Sequence, residues 1–317
     1  MLHGWIVLDK PLGLGSTTAV SAVKRILREA GEPKTKVGHG GTLDPLASGV
    51  LPIALGEATK LAGRMLDATK AYDFTITFGE QTDTLDADGA VIESSESRPT
   101  LEQIEAILPH FIGQIEQVPP AYSALKIGGK AAYARARAGE YVELKARSVT
   151  VHTLTVRHAR GSGGPAVLQG QKRDSRRRGN DGHVSEVTLS AIVSKGTYIR
   201  SVARDIAHAL GTVGHVSYLR RTRAGPFALD QAISLDFLEE AAKARALTRM
   251  VLPLQAALDD IPALPVTPDQ ARLLRHGQML FGFPAKPGLA LAIEDGVPVA
   301  LVEAAADGLR VVRGFNL

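Results

Sequence analysis

The sequence contains no cysteine, and this absence excludes several kinds of chemistry at once. Disulfides, thiolate zinc sites, iron–sulfur clusters and cysteine nucleophiles all require the thiol. The chain also lacks any apolar run near the roughly 18 residues that a membrane-spanning helix needs. Its best candidate, Gly49 to Leu55, is far shorter, and the first residues, MLHGWIVLDKP, lack the features of a secretory signal. These absences predict a cytoplasmic protein that does not enter a membrane.

The remaining composition is typical of a globular protein. The 317 residues are 44% hydrophobic and 22% charged, which excludes disorder along the whole chain. Their number suggests two domains. After about Pro226 a helical connector leads to two strand pairs with turns at Asp295-Gly296 and Asp307-Gly308, and Asp-Gly is a strong hairpin signal. We predict one domain at residues 1–250 and a small, mostly β domain at residues 251–317.

Positive charge is concentrated in one part of the chain, although the formal net charge is only +4. Residues 145–178 contain nine Lys or Arg side chains and a single acid, Asp174. Such a stretch is the electrostatic footprint of a polyanionic partner, and a solvated loop is the alternative interpretation. A basic insert at about 161–182, which overlaps the second half of this stretch, contains few large apolar residues, and this composition favours disorder.

Hydrophobic periodicity predicts a mixture of helices and strands. Helices are expected to begin at Ser16 as an N-cap, at a capping box formed by Thr100 and Gln103, and at Tyr198. Strands, the first of them half-buried, are expected at residues 72–78, 149–156 and 184–193. The pattern alone therefore indicates a mixed α and β chain.

Several segments that resemble cofactor motifs have the wrong spacing. The run GLGSTT lacks the Gly-Lys-Ser/Thr ending of a phosphate loop, and the glycines at 38–41 lack the third glycine of a dinucleotide fingerprint. The aspartates of residues 83–88 resemble a calcium loop, but Thr84 and Ser95 stand where that loop needs Asp and Glu. These aspartates are expected to cap turns. The nine histidines form no i, i+4 pair with a nearby acid, as a zinc site would require.

Asp44 is the acid with the most informative surroundings. Three of residues 38–41 are glycine, and Pro45 follows directly. Asp before Pro is typical of a helix start, which favours a capping role for Asp44 in a short turn over residues 45–48. Bare glycine backbone beside a carboxylate also lets a flat substrate approach closely, which favours a binding site. The two roles are compatible, and both stay open at this point.

The helix that follows Tyr198 carries two arginines. Arg200 and Arg204 are four residues apart and share one face. Two solvated arginines are the common outcome, whereas a buried arginine would pair with a carboxylate and keep it ionised. Tyr72 and Tyr198 belong to a residue type that is most often found in cores, and either ring is also suited to stacking on a base.

The segment at residues 38–52, GHGGTLDPLASGVLP, resembles the active-site motif of the TruB family of bacterial tRNA pseudouridine synthases. Further segments agree in the family's order: LDKP at 8–11, KAY at 70–72, TDTLDADG at 82–89, PPAYSALK at 119–126, SKGTYIR at 194–200 and YLRR at 218–221. Residues after 250 resemble the family's PUA-type RNA-binding domain more weakly. The basic insert is not part of the family pattern.

The resemblance implies an enzyme that isomerises uridine 55 in the TΨC loop of tRNA to pseudouridine, without cofactor or metal. By the family's mechanism the N-glycosidic bond breaks, the base rotates, and it is rejoined through C5. Asp44 matches the catalytic aspartate, and Arg200 matches the arginine that pairs with it. Whether the carboxylate attacks the base, attacks the sugar or removes a sugar proton stays open. The matched substrate-binding positions are Tyr72, which stacks on the target base, His39, which contacts the flipped-out nucleotide, and Tyr198 and Leu219 in the pocket.

The resemblance also implies an α+β fold, with a mixed, largely antiparallel sheet flanked by helices and a small C-terminal β-rich, PUA-like domain. The implied partner is the TΨC stem-loop of tRNA. Neither a protein partner nor a membrane is implied, so we expect a monomer. The alternative is a non-catalytic tRNA-binding or RNA-folding protein that uses the same basic surface. A hydrolase that uses Asp44 on a small substrate is disfavoured, because the basic stretches would then lack a purpose.

Overall fold

The computed structural model describes residues 1–123, 125–127, 130–131, 135, 144–157 and 182–317. Its strands are β1 (Gly4–Lys10), β2 (Val37–His39), β3 (Ala47–Leu55), β4 (Lys70–Phe78), β5 (Glu80–Thr82), β6 (Val91–Ser94), β7 (Gly113–Gln117), β8 (Lys126–Ile127), β9 (Lys130–Ala131), β10 (Arg147–Val156), β11 (Glu186–Val193), β12 (Gly214–Ala224), β13 (Phe227–Ala228), β14 (Ala263–Pro265), β15 (Leu280–Phe281), β16 (Gly288–Glu294), β17 (Val297–Ala305) and β18 (Gly308–Gly314). The basic insert at about 161–182 lies outside the described residues, apart from Gly182.

The α-helices are α1 (Ser16–Glu29), α2 (Ala62–Asp67), α3 (Leu101–Ile107), α4 (Ile199–Ala209), α5 (Leu235–Lys243) and α6 (Pro268–Arg275). Short 3-10 helices occupy Gly56–Leu61, Leu108–Phe111, Leu229–Gln231, Leu247–Met250 and Leu254–Ala257. Within the described part of the chain, no helix is long and apolar enough to cross a membrane.

The chain divides into two compact units. The first unit contains residues 1–44, 49–67 and 224–317, and the second contains residues 45–48 and 68–223. The domain boundary predicted at residue 250 stays a prediction.

In the first unit, β3 pairs antiparallel with both β1 and β2. The apolar sequence of β1 buries almost all of that strand, and Trp5 is its largest fully buried side chain. The Trp5 indole Nε1 donates to the Leu254 carbonyl at 3.0 Å, and its ring centroid lies 5.4 Å from that of Phe227. Backbone hydrogen bonds in both directions join Trp5 to Leu252. The chain around residues 227–254 is therefore anchored on β1.

The helix α1 buries the predicted apolar face, which consists of Val20, Val23, Ile26 and Leu27. Its N-cap position is held by Gly15, so the expectation that Ser16 is the N-cap is wrong. Ser16 is the first residue of the helix and is buried, and its hydroxyl bonds to Leu43 instead. A long-range partner has replaced the local one because the hydroxyl faces the interior of the unit.

Residues 263–314 form a small β-rich body with its own apolar core. Its 5 strands follow the order β14-β16-β17-β18-β15, and only the β14–β16 pair is parallel. The predicted Asp295-Gly296 turn joins β16 to β17, with φ values of +48° and +82° that suit a tight hairpin. The C-terminal β-rich region expected from the sequence is confirmed.

In the second unit the strand order is β12-β4-β11-β10-β7, and β4, β11, β10 and β7 pair antiparallel along this row. The helices α3 and α4 pack on the sheet, and the shared core contains Phe74, Ile76, Leu189, Ile104, Val202 and Ile206. The Thr100–Gln103 capping box that opens α3 is present as predicted. The largely antiparallel sheet with flanking helices is therefore confirmed.

The strand β4 differs from its expected half-buried form. Asp73 and Thr75, on the polar face, are each only 9% exposed. Asp73 accepts a hydrogen bond from Ser190 Oγ at 2.6 Å and pairs with Arg157, and Thr75 shares a 2.9 Å hydrogen bond with Thr188. These polar groups tolerate burial because cross-strand partners satisfy them. The alternation of polar and apolar residues along β4 therefore does not indicate a face exposed to solvent.

Candidate active site

The loop between β2 and β3 carries Asp44, and glycine determines its shape. Gly40 is buried, and its N–H donates to the Pro52 carbonyl at 2.8 Å. A Cβ on Gly40 would lie 2.5 Å from the Met65 Cβ, so a side chain there would collide. Gly41 has a φ of +134°, a conformation that other residues rarely adopt. Glycine is thus needed at position 40 for the packing and at position 41 for the path of the loop.

Leu43, directly before Asp44, is held by one buried hydroxyl. Ser16 Oγ donates to the Leu43 carbonyl at 2.8 Å and accepts from the Leu43 N–H at 2.8 Å. Both residues are 4% exposed. This contact has no local signal in the sequence, because the two residues are 27 positions apart and a serine before a helix has an ordinary local explanation.

The loop before α1 is fixed by a buried ammonium group. Lys10 is fully buried, and its Nζ donates to the Pro11 carbonyl at 3.0 Å and to the Leu14 carbonyl at 2.6 Å. These hydrogen bonds hold the backbone that connects β1 to α1. They give the LDKP segment a structural role in the first unit.

Asp44 itself is half-buried and lies at the end of the glycine loop. Residues 45–46 form a turn and β3 begins at Ala47, so the turn after Asp44 is shorter than the expected 45–48, and the capping role of Asp44 stays a prediction. His39, also half-buried, ends β2, and its Nδ1 lies 3.4 Å from the Gly41 N–H. The first unit therefore brings His39 and Asp44 onto one loop with a defined backbone.

Tyr72 and Leu219 lie on neighbouring strands of the second unit. Tyr72 stands on β4 opposite Ala191 of β11, and Leu219 stands on β12 at the other side of β4. Both side chains are partly buried and pack against the same apolar core. Partly buried side chains at the margin of a core keep their packing while an accessible surface is left for a ligand. The structure therefore places these two predicted pocket residues on neighbouring strands, against one apolar core.

Tyr198 holds the N-cap position of α4 and is fixed by a buried amide. Its N–H donates to Gln117 Oε1 at 2.8 Å, and Gln117 Nε2 donates to its carbonyl at 3.1 Å. The Arg147 guanidinium lies 4.7 Å from the Tyr198 ring centroid and donates to the Gly196 carbonyl. This is a cation–π contact. The role of Gln117 has no local signal in the sequence, because this residue is 81 positions from its partner.

Arg200, on α4, is a buried cation with 5% exposure. Its Nη1 donates to the Thr84 carbonyl at 2.7 Å and to Asp86 Oδ2 at 3.1 Å. Its Nη2 donates to the Tyr122 carbonyl at 2.9 Å. The solvated alternative for this arginine is wrong. The carboxylate in this ion pair is Asp86, and the implied pairing of Arg200 with Asp44 stays a prediction.

Asp86 has a second role that the sequence analysis did not assign. As expected it caps a turn, because Oδ1 accepts from Thr84 Oγ1 at 2.6 Å and from the Asp88 N–H at 3.2 Å. Its other oxygen binds Arg200. Arg204, one turn along the helix, pairs instead with its neighbour Asp205 at 2.8 Å and is partly solvent-exposed. The two arginines of α4 therefore differ in environment although their spacing is helical.

Positive charge in the second unit is only partly at the surface. Arg200 and Arg221 are buried, whereas Lys195 and Arg223 are exposed. Most of the basic stretch at residues 145–178 lies outside the described residues. Among the residues that the structure does describe, no group of three His, Asp or Glu side chains could hold a metal ion.

Comparison with protein families gives matches along most of the chain. The model of the TruB family pseudouridylate synthase N-terminal domain matches residues 24–199, and that of the tRNA pseudouridylate synthase B C-terminal domain matches residues 200–259. A curated protein named tRNA pseudouridine synthase B from Zymomonas mobilis is 56% identical over 315 residues, covering 99% of this chain and 96% of that protein. One of the same name from Novosphingobium aromaticivorans is 56% identical over 317 residues, covering 100% and 98%.

Solved structures show the same fold at lower sequence identity. A chain of the "Structure of H/ACA RNP bound to a substrate RNA containing 2'-deoxyuridine" aligns with a TM-score of 0.71 at 24% identity, covering 99% of this chain and 86% of that chain. A chain of the "Crystal Structure of a Cbf5-Nop10-Gar1 Complex" aligns with a TM-score of 0.68 at 26% identity, covering 99% and 84%.

Proposed function

Because the chain belongs to the TruB family of pseudouridylate synthases, we propose that it isomerises uridine 55 in the TΨC loop of tRNA, with Asp44 as the required carboxylate. The observation that supports this role is the construction of the Asp44 loop. Buried Gly40 and the hydrogen bonds between Ser16 and Leu43 fix the backbone on the N-terminal side of the carboxylate. A reacting group held in this way needs little rearrangement before reaction.

The reaction is a balanced rearrangement. The bond from N1 of the base to C1′ of the ribose breaks, and a bond from C5 to C1′ forms after the base has rotated. C5 loses its proton and N1 gains one, so product and substrate are isomers. No electron is transferred to an acceptor, so the chemistry itself calls for no redox cofactor. A base in a folded loop must be extruded before this chemistry, and aromatic and basic side chains are suited to hold it.

The remaining site residues are proposed to bind the extruded nucleotide. Tyr72 stacks on the target uracil and serves in removing its C5 proton, and Leu219 borders the same pocket. Tyr198 contributes a ring from a backbone position that Gln117 holds through its N–H and C=O. His39 contacts the flipped-out nucleotide region from the Asp44 loop.

Arg200 is proposed to act on the charge of the catalytic carboxylate. Its fixed hydrogen bonds to Thr84, Asp86 and Tyr122 hold a planar cation in place. Such a cation keeps a nearby carboxylate ionised. A double-mutant cycle between Arg200 and Asp44, with tRNA turnover as the readout, tests the pairing, and additive effects would exclude it.

The test of the function uses an unmodified tRNA that carries tritium at uridine C5, incubated with the protein and EDTA. We expect tritium release by the wild type, and none when uridine 55 is replaced by cytidine. Asp44→Asn should release less than about 1% of the wild-type tritium while binding tRNA within a few-fold. Asp269→Asn is the matched control, since this side chain is 90% exposed. Tight binding without release by the wild type would favour the non-catalytic RNA-binding alternative.

We further propose that the enzyme works as a monomer in the cytoplasm, where its tRNA substrate is found. Light scattering during size-exclusion chromatography checks the first point. A mass near twice the 33.6 kDa of one chain would contradict it.

A further inference from the structure

We propose that Ser16 is a positioning residue for Asp44, and that it sets the rate of the chemical step without contacting RNA. The inference rests on the proposed role of Asp44 as the required carboxylate. It starts from one observation: a single buried hydroxyl bonds both backbone groups of the residue that precedes Asp44.

The geometry explains how this contact reaches Asp44. A hydroxyl has one proton to donate and lone pairs to accept, and Ser16 uses both functions on Leu43. The Leu43 carbonyl belongs to the planar peptide unit that ends at the Asp44 Cα. A hydrogen bond to that carbonyl therefore restrains the whole plane, and with it the position from which the Asp44 side chain departs. The second bond, to the Leu43 N–H, prevents rotation of the preceding plane.

Ser16 is itself held firmly enough to serve as this anchor. It is the first residue of α1, a helix of 14 residues with a fully packed apolar face. The loop before it is tied down by Lys10, whose Nζ bonds the Leu14 carbonyl. Because Ser16 is 4% exposed, its hydroxyl does not present itself to an RNA ligand. A loss of function in a Ser16 variant would therefore act through Leu43.

The variant Ser16→Ala removes both hydrogen bonds and little volume. We expect turnover at saturating tRNA to fall by about 10- to 100-fold, the scale for a reacting group displaced by about 1 Å. The dissociation constant for tRNA should stay within a few-fold. Ser16→Thr, which keeps the hydroxyl, should restore most of the lost turnover, and Ser16→Cys, whose thiol is a weak donor, should lie between.

The experiment measures single-turnover rate and tRNA affinity for these variants, below the lowest melting temperature in the series. Ser21→Ala is the control, since Ser21 lies on the same helix and its exposed hydroxyl bonds the local Thr17 carbonyl at 3.1 Å. If Ser16→Ala does not fold, the comparison of Ser16→Cys with Ser16→Thr decides. Equal rates in that pair, or wild-type turnover in Ser16→Ala, would overturn the proposal, as would weaker tRNA binding at unchanged turnover. An active Asp44→Asn would instead refute the proposed function.

Discussion

The buried pair of Asp86 and Arg200 makes a demanding prediction for the substitution Asp86→Asn. Asn has nearly the same shape as Asp, so it would be harmless if only shape mattered. In the structure, however, Oδ1 accepts from Thr84 Oγ1 and the Asp88 N–H, while Oδ2 accepts from Arg200 Nη1. An amide supplies only one acceptor oxygen, and its NH₂ would face a donor in either orientation.

The expected loss of stability in Asp86→Asn follows from the burial of the ion pair. The side chains of Arg200 and Asp86 are 5% and 13% exposed. Removal of one partner from a buried ion pair destabilises a protein by about 3–5 kcal/mol, because an uncompensated charge is left behind. Arg200 would keep its carbonyl acceptors on Thr84 and Tyr122. We therefore expect the lower end, a loss of about 3 kcal/mol in the free energy of unfolding.

The assay is urea unfolding followed by circular dichroism, with Arg200→Met as the second arm of a double-mutant cycle. The double variant should lose less stability than the sum of the single variants, because it leaves no unpaired charge. Arg204→Met is the control, and its partly exposed pair should contribute at most about 1 kcal/mol. A loss below about 1 kcal/mol in Asp86→Asn, or additivity within about 0.5 kcal/mol, would refute the reasoning.

Three further predictions concern other parts of the chain. Tyr72→Ala should weaken tRNA binding by about 1–3 kcal/mol through lost stacking, whereas Tyr72→Phe should bind tRNA normally and lose turnover; full activity in Tyr72→Phe would assign the ring to stacking alone. Burial raises the pKa of Glu57, whereas hydrogen bonds from Lys60 and from the Asn316 N–H lower it, as does the charge of Lys60. The lowering effects are larger in sum, so the pKa of Glu57 in the folded protein lies below the usual 4.5. The resulting stabilisation is complete above pH 4.5 and is lost as pH falls through the folded pKa. The melting temperature of Glu57→Gln should therefore lie below that of the wild type at neutral pH and converge with it in acid. A difference in melting temperature that does not change with pH would contradict this. Deletion of residues 162–181 should flatten the log–log salt dependence of tRNA binding by roughly 0.7–0.9 per lost phosphate contact, at unchanged saturated turnover; an unchanged slope would show that the insert does not touch RNA.

The elements that sequence reasoning found have signals within a few neighbouring residues. The Thr100–Gln103 capping box joins residues three positions apart, and the Asp295-Gly296 turn is a dipeptide between apolar runs. The buried face of α1 repeats with helical period. Each of these features is determined by local stereochemistry, so a short stretch of sequence is sufficient to predict it.

The contacts that sequence reasoning missed join positions far apart in the chain. Ser16 and Leu43 are separated by 27 residues, and Asp86 and Arg200 by 114. At these positions the local pattern has a sufficient explanation of its own, because it predicts a helix cap at Ser16 and a turn cap at Asp86. The Asp86 assignment was correct but incomplete, because a carboxylate has a second oxygen and the fold brings a guanidinium to it.

Two contacts without a local sequence signal, Ser16 with Leu43 and Gln117 with Tyr198, share one hydrogen-bonding pattern. This pattern explains how irregular backbone is held near candidate site residues. Ser16 bonds both the N–H and the C=O of Leu43, and Gln117 does the same for Tyr198. Buried backbone groups must be paired, and in a sheet a neighbouring strand would pair them. A side chain that both donates and accepts hydrogen bonds can pair these groups in place of a strand. A loop or the start of a helix is then held by one residue, without an extension of the sheet. One side chain thus pairs both backbone groups beside Asp44 and at Tyr198, where a neighbouring strand would otherwise be needed.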